Sequence, residues 1–555
     1  MLAVFAVSLV QSFHNVDLGD TGNHLINQRF LVREGVIPGP AGLTLLSDVA
    51  GGLWCACAAG PSLCWAMVGG AVLSGLNAAL AYSVLGDHFP RRLTFAIVLL
   101  SSLLIVALQY YPNFIHYYTF PAFLLNCLLF ALNKLLCGAP TRPVTLLWAA
   151  AVGAFYVLLV LARLPIIVLC IGLPFLVVWM ASRRGTRSAR YGAPIALLSG
   201  LALTVLLSWL AMASLGLFGQ YLGSIRMALC SDLDYHFNSS PVGILSKYLA
   251  RGPKALAGGA TFVILFYFVG AASRRCGAYV GSFLIVCISL LLLFLKADGL
   301  YSGLARFREF TFGVVLVLVF GTIAHQWRRR PELCMLLLSG VFCMLALNLG
   351  TYMGFQPITF GMWIPLPGAI LGSLVVARKC RWLPLRHIPS LKPCVFASMA
   401  VLFIAVESIP WMEEWRRNNS SNCWACFQSD GLRGMFGEYH DVQTIDGAIA
   451  ELRTLVKKGD VVLCYNHAAL LCWLTETRCF FSVPCLYLDN DSPNRIRKEW
   501  EDAEAKGYRA RVLILANRSR FPEVDRVICF LKSRYVMQQN YKMAFRNEWC
   551  EIYVQ

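Results

Sequence analysis

The chain has 555 residues, of which 58% are hydrophobic and only 14% charged, with a mean hydropathy of +0.61. A soluble protein of this length carries nearer a quarter charged residues, so that class is excluded and a polytopic membrane protein remains. The formal net charge of +18 does not point to nucleic acid, because the arginines sit in short clusters between apolar runs, as cytoplasmic loops require.

Met1–Phe13 is apolar but has about thirteen residues, short of the roughly 20 a spanning helix needs. It lacks the basic n-region and small-residue cleavage site of a signal peptide, so it reads as a spanning helix whose first turns lie upstream. The first polar stretch follows, from His14 to Arg33. Within it Asp17 and Asp20 lie near what should be a bilayer surface, with His14, Asn23, His24 and Asn27 nearby. Carboxylates there are costly unless they face water, a cation or a partner. The plainer reading is that both acids cap a short helix starting near Asn23, and this stretch alone leaves both readings open.

Leu43–Ala59 is apolar but holds Asp48 and the pair Gly51-Gly52; Ser62–Leu85 is a better span, ending at the basic Arg91-Arg92. Further apolar runs occupy about 93–109, 118–136, 144–162, 165–181, 192–216, 256–272, 279–295, 311–325, 333–349, 358–376 and 394–410. The basic clusters are Arg91–Arg92, Arg183–Arg190, Arg274–Arg275, Arg328–Arg330 and Arg378–Lys392. Placing all of them in the cytoplasm fixes the parity. Only one crossing then fits between residues 14 and 90, so Leu43–Ala59 should lie along the outer surface or dip in without crossing. The count becomes thirteen spans, N-terminus inside and C-terminus outside. The polar loops 14–42, 110–118, 163–165, 218–254, 296–310 and 350–357 fall outside, and they hold most of the remaining reactive side chains. That asymmetry argues for a site at the outer membrane–water boundary rather than a channel through the middle.

From about residue 411 the composition is that of a soluble domain. Residues 443–457 have helical periodicity, Gly459-Asp460 turns the chain, and Val461–Tyr465 is an apolar strand. Ser492–Lys506 reads as a charged helix, Arg511–Ala516 as a buried strand, and Met543–Val554 as a closing strand or hairpin. The alternation suggests an extracytoplasmic α/β module of residues 411–555, set on a transmembrane domain of residues 1–410 whose first external loop is 14–60. No glycine-rich phosphate loop is present, so no nucleotide is assigned. Cys423-x-x-Cys426 could form a disulfide or be redox-active, but with no second pair at zinc spacing and no thioredoxin-like strand before it, it reads as incidental or structural.

Several short features are similar to those of one family. Asp17-Leu18-Gly19-Asp20 follows the first helix, and the aromatic segment Tyr110-Tyr111-Pro112-Asn113-Phe114 precedes a span. An Ala162-Arg163-Leu164-Pro165 corner joins two spans. Asn348-Leu349-Gly350-Thr351 precedes the penultimate membrane helix, and Lys458-Gly459-Asp460-Val461-Val462 opens the external domain. With this layout the chain resembles the GT-C superfamily of membrane glycosyltransferases, which use lipid-linked sugar donors. It looks most like a bacterial branch, with a topology similar to the aminoarabinose transferases and the protein O-mannosyltransferases. The resemblance implies a multi-pass protein of the inner (plasma) membrane that acts on the cell envelope, and it maps the family's first-loop acidic residue onto Asp17 or Asp20. Two departures stand out. The second external loop offers only His116 where many relatives carry an acid, and the Lys-Pro-Pro segment of the aminoarabinose transferases is absent.

Transfer from a polyprenyl-phosphate sugar needs a base for the acceptor hydroxyl and positive charge for the departing phosphate. A boundary carboxylate, Asp17 or Asp20, suits the first role. A guanidinium suits the second, which nominates Arg163, with Arg226, Lys247 and Arg251 behind it. Arg163 equally fits a side chain snorkelling beside Pro165. His14, His24, His116 and Asn348 are candidate substrate-loop residues. A divalent cation, Mg2+ or Mn2+, could share the phosphate role, with Asp232, Asp234 and His236 as its ligands, although these also read as ordinary loop residues. The acceptor is a lipid, a glycan or a protein. The rivals are a surface-polysaccharide ligase or polymerase, which would carry its large domain between late helices, and a transporter or lipid flippase. Transporters tend to show internal repeats and midplane charges, and neither is visible here.

Overall fold

A computed structural model describes residues 1–14, 16–109, 114–137, 142–172, 175–176, 187–230, 241–272, 300–349, 356–379, 424–465, 468–481, 500–501, 503–505, 507–516 and 522–555. Helix α1 (Leu2–Ser12) leads into α2 (Asp20–Arg29) and the short α3 (Leu45–Ala56). The long helices follow: α4 (Leu63–Gly86), α5 (Arg91–Leu108), α6 (Thr119–Leu136), α7 (Arg142–Ala162) and α8 (Arg187–Ser214). Then come α9 (Phe218–Cys230), α10 (Pro241–Ala272), α11 (Leu300–Gln326), α12 (Pro331–Asn348) and α13 (Pro365–Lys379).

Among the described residues seven segments are long and apolar enough to cross a membrane: Leu63–Gly86, Arg91–Leu108, Thr119–Leu136, Pro143–Ala162, Tyr191–Ser214, Phe307–Gln326 and Pro331–Asn348. At ~1.5 Å per residue, the twelve residues of α3 reach only about 18 Å against a hydrocarbon core of ~30 Å. It cannot cross as a helix. The runs 279–295 and 394–410 lie outside the described residues. Two expectations change. Residues 164–172, read as the start of a span, form a 3-10 helix after the Pro165 corner. The expected outer loop 218–254 is helical where described, and the 256–272 run is the second half of the 32-residue α10.

Some polar side chains within the bundle pair with one another, as an apolar surround favours. Asn126 donates to Asn77 at 2.8 Å, and Ser8 to Ser74 at 3.2 Å. Helices α7 and α8 cross at glycines: a Cβ on Gly153 would lie 2.0 Å from the Leu197 carbonyl, and one on Gly200 would lie 2.1 Å from that of Ala150. One end of the bundle is basic. There Lys134 meets Asp87 at 2.7 Å, and Arg330 donates to the His88 carbonyl at 2.9 Å, beside Arg91 and Arg92. The chain direction of α4–α7, α11 and α12 puts residues 14–62, 114–118, 163 and 349 at the other end.

The C-terminal unit carries a two-stranded ribbon of β1 (Trp424–Cys426) and β2 (Phe436–Glu438). After α14 (Tyr439–Leu455) come β3 (Val461–Tyr465), α15 (Ala469–Leu474), β4 (Arg478–Cys479) and β5 (Val512–Ala516). Helix α16 (Pro522–Leu531) and the hairpin β6 (Lys542–Arg546) and β7 (Cys550–Val554) close it. The sheet order is β4-β3-β5-β7-β6, with β3 parallel to β4 and β5 and the remaining pairs antiparallel. Every residue of β5 is buried, because both sheet faces are covered. Leu463, Leu513 and Leu515 face Trp500, Val527 and Leu531. Val462, Ile514 and Ile552 face α14 and share one apolar cluster with Leu18, Leu25 and Ile26 of the first loop.

Candidate active site

The turn before α2 separates the two acids. Asp17 accepts from Gly19 N (3.0 Å) and Thr21 N (2.8 Å), with Thr21 Oγ1 at 3.3 Å. It caps donors that the helix start leaves unpaired. The helix thus begins at Asp20, three residues before the expected start near Asn23. Asp20 is the first helical residue, partly buried, and no described residue donates a hydrogen bond to its carboxyl. Burial, and secondarily the charge of Asp17, push its pKa up to about 7.

One turn along, His24 shares the face of Asp20. Its ring lies 4.6 Å from that of Tyr117 and 6.2 Å from those of Phe114 and His116. Burial lowers its pKa to about 4, so the imidazole is neutral. His116 is buried, and its Nδ1 accepts from Tyr118 N at 3.2 Å. In the neutral ring the proton therefore sits on Nε2, which has no hydrogen-bond partner among the described residues. Burial, then His24 and Arg163, hold its pKa well below the ordinary imidazole range. Gln28 ties α2 to this turn through the Ile115 carbonyl at 2.7 Å.

Arg163 is 3% exposed and does not snorkel to solvent. Its two terminal nitrogens each donate at 3.1 Å, one to the Tyr117 carbonyl and the other to that of Leu349. Its guanidinium lies 4.3 Å from the Tyr118 ring and 5.3 Å from the Tyr117 ring. It pins the 114–118 turn to the end of α12, where Asn348 is fully buried. Arg308, another buried cation, donates to the Leu108 carbonyl at 2.7 Å. Cations at the carbonyl ends of α5 and α12 complement the helix dipoles.

The other candidates are dispersed. His14 bonds the Val10 carbonyl and stacks on Phe436 of β2, so it belongs to the contact with the C-terminal unit. Arg251 pairs with Glu309 at 2.9 Å. Arg226 is exposed on α9. The side chain of Lys247, and Asp232, Asp234 and His236, lie outside the described residues. Among the described residues no group of three or more His, Cys, Asp or Glu is arranged to hold a metal. Tyr117, Tyr118 and Phe360 were not singled out from the sequence. They form the aromatic wall, with Tyr118 and Phe360 stacked at 5.2 Å, and the doubled tyrosine after His116 was the signal available.

The C-terminal unit sits directly on α2. Gly22 has no room for a Cβ, which would lie 2.1 Å from Leu470 N, and that nitrogen donates to the Leu18 carbonyl at 2.9 Å. Arg29 donates to the Cys472, Trp473 and Thr477 carbonyls at the end of α15. Arg33–Glu476 (2.7 Å) and Glu34–Arg478 (3.3 Å) close the seam.

No protein-family model and no curated protein matches the chain. Solved structures do. ArnT from Cupriavidus metallidurans bound to undecaprenyl phosphate aligns over 100% of this chain and 97% of its own, at 14% identity and a TM-score of 0.45. Its apo form aligns over the same shares at 12% and 0.42. The apo oligosaccharyltransferase of Archaeoglobus fulgidus aligns over 93% of this chain and 69% of its own, at 11% and 0.46. With TM-scores this low, these likenesses carry no weight in assigning a function.

Proposed function

We propose that this chain is a GT-C glycosyltransferase that moves a sugar from a polyprenyl-phosphate carrier to a lipid, glycan or protein acceptor on the extracytoplasmic side of the membrane. The observation that supports it is the Asp20 carboxyl. It is partly buried, given no hydrogen bond by any described residue, and poised near pH 7, at the end of the bundle opposite the basic clusters. The positive-inside rule puts the basic end in the cytoplasm and Asp20 at the outer boundary, at the depth of a lipid phosphate.

In this reading Asp20, and not the capping Asp17, is the general base. It takes the proton from the acceptor hydroxyl as that oxygen attacks the anomeric carbon. The bond from that carbon to the phosphate oxygen breaks on the opposite face, and the configuration inverts. The departing phosphate meets the N–H groups of Arg163 not spent on carbonyls and the Nε2–H of His116. Arg226, Lys247 and Arg251 supply longer-range positive charge, Arg251 by exchanging its Glu309 partner. The prenyl chain lies between spans, and the C-terminal unit, resting on α2, selects the acceptor. If a divalent cation is used, Asp232, Asp234 and His236 are the residues to hold it, and the described donors supply no such site.

The test is turnover of radiolabelled polyprenyl-phosphate sugars in membranes. Asp20→Asn should lose a hundredfold or more, on the order of a general base's contribution. Asp17→Asn should lose little, since Asn caps as well as Asp. Robust turnover with Asp20→Asn equal to wild type would remove Asp20 from the mechanism.

A further inference from the structure

Four buried cysteines gather in the C-terminal unit: Cys464 at the end of β3, Cys472 in α15, Cys479 in β4 and Cys550 in β7. The Sγ atoms of Cys464 and Cys472 are 3.1 Å apart. That is closer than two nonbonded sulfurs normally approach and about 1 Å beyond the ~2.05 Å of a disulfide. Cys479 also hydrogen-bonds Cys472, and Cys550 lies beside Cys464. A metal would account for such a cluster, but among the described residues no ligand group is arranged for one. Plain apolar packing of thiols does not account for a sulfur–sulfur approach of 3.1 Å.

We propose that Cys464 and Cys472 are joined by a disulfide in the mature protein, with Cys479 as the sulfur that exchanges into it. The proposal rests on the extracytoplasmic placement of this unit, where disulfides persist. Hydrogen bonds from Cys464 and Cys479 lower the Cys472 thiol well below its ordinary range, so Cys472 is the attacking thiolate. It attacks a protein or small-molecule disulfide, whose second sulfur leaves as a thiol. Cys464 then loses its proton and attacks Cys472 Sγ, and the first sulfur of the oxidant leaves as a second thiol. Two protein thiols are oxidised by two electrons, and one external disulfide becomes two thiols. Because the sulfurs are buried in the folded unit, the exchange occurs late in folding, once Cys464, Cys472 and Cys479 have met and before the unit closes over them.

The bond would fasten α15 to the sheet. That helix meets Leu18 through Leu470, and its terminal carbonyls are held by Arg29, so the staple lies directly beneath the helix that carries Asp20.

The experiment is differential alkylation of the full-length protein, acid-quenched from intact cells and denatured, followed by reduction, a second label and peptide mapping. Cys464 and Cys472 should take only the second label, while the exposed Cys529 takes the first. In Cys464→Ser, a Cys472–Cys479 linkage should appear in its place. In parallel, a membrane-impermeant maleimide is applied to intact cells to read the exposed Cys529. If Cys529 is labelled and Cys464 and Cys472 both take the first label, the disulfide is overturned and the topology stands. If Cys529 is labelled only after lysis, the extracytoplasmic placement fails, and the glycosyltransferase reading and the disulfide fail with it.

Discussion

Asp17 and Asp20 differ in what the turn between them supplies. Asp17 receives two backbone N–H groups, whereas Asp20 receives no donor from the described residues and shares its surroundings with a neighbouring carboxylate. The sign of the linkage follows. With its pKa raised from 3.8 to about 7, Asp20 favours the folded state only while protonated. That contribution is complete below pH 3.8 and is lost as pH rises through about 7. Asp20→Asn should therefore raise the melting temperature above pH 7 while lowering turnover a hundredfold or more, on the order of a general base's contribution, the stability–activity exchange expected if Asp20 is the base. A thermal-shift series in detergent from pH 5 to 9 reads this, and an Asp20→Asn variant that melts lower than wild type at pH 8 contradicts it. His24 has the opposite sign. Its pKa falls from 6.5 to about 4, so its contribution holds above 6.5 and is lost as pH falls through about 4. For Arg163, substitution by Lys keeps the charge but cannot reach the Tyr117 and Leu349 carbonyls together. Leaving one buried carbonyl unpaired costs about 1–3 kcal/mol, so Arg163→Lys should melt several degrees lower and not behave as a conservative change. That charged residues at span ends would matter was legible in the sequence. Which acid is spent on capping was not, because it depends on backbone torsions at Leu18-Gly19. Nor was the meeting of His24 with His116, which tertiary packing decides.

At the scale of elements, patterns with a local cause could be read and those set by packing could not. The helix 439–455 and strands 461–465 and 512–516 announce themselves through periodicity and the Gly459 turn, where φ is +87°. The end of the chain was left as a strand or a hairpin because Asn547-Glu548-Trp549 is not a standard two-residue turn. It closes because Asn547 Oδ1 accepts from Trp549 N and Cys550 N, an Asx-type turn. Residues 218–254 look like a polar loop because Pro241, Pro253 and several glycines interrupt them. Most of the described segment is nevertheless helical, in α9 and α10. The least legible element is α2, whose most constrained residue is a glycine in a polar helix. Glycine usually weakens a helix by about 1 kcal/mol relative to Ala, so Gly22→Ala would stabilise an isolated helix. Here the added methyl meets the Leu470 backbone at 2.1 Å, and backbone cannot swing aside. Gly22→Ala should destabilise the protein and open the 468–481 region to limited proteolysis. Unchanged digestion would show that α2 and α15 do not pack this closely.

At the scale of the molecule, the C-terminal unit is bound to the bundle through the segment that carries Asp20. Two kinds of contact hold it, and magnitudes decide between them. The ion pairs Arg33–Glu476 and Glu34–Arg478 are partly exposed, with side-chain accessibilities of 44% and 22% for the first and 29% and 49% for the second. Pairs of that kind contribute about 0–1 kcal/mol and are screened by salt. Leu18, Leu25 and Ile26 are 9%, 1% and 0% exposed and lie in the same apolar cluster as Leu470, Leu471 and Trp473. Each such side chain is worth about 1.5–3 kcal/mol on burial, so the apolar seam outweighs the ion pairs several-fold. The unit is then a fixed wall of the proposed site rather than a swinging lid, and a cut in the chain before Trp424 should not release it. With a protease site inserted after Asn418, the fragment from Asn419 onward should co-purify with the detergent-solubilised bundle after cleavage, in low salt and in 1 M salt alike. Charge reversal at Glu476 should leave the pair together. The double variant Leu25→Ala, Ile26→Ala should free the fragment and, because α2 loses its support, reduce turnover even though Asp20 is intact. Release by salt alone would mean that charge, not apolar burial, holds the seam, and that the wall moves during the reaction.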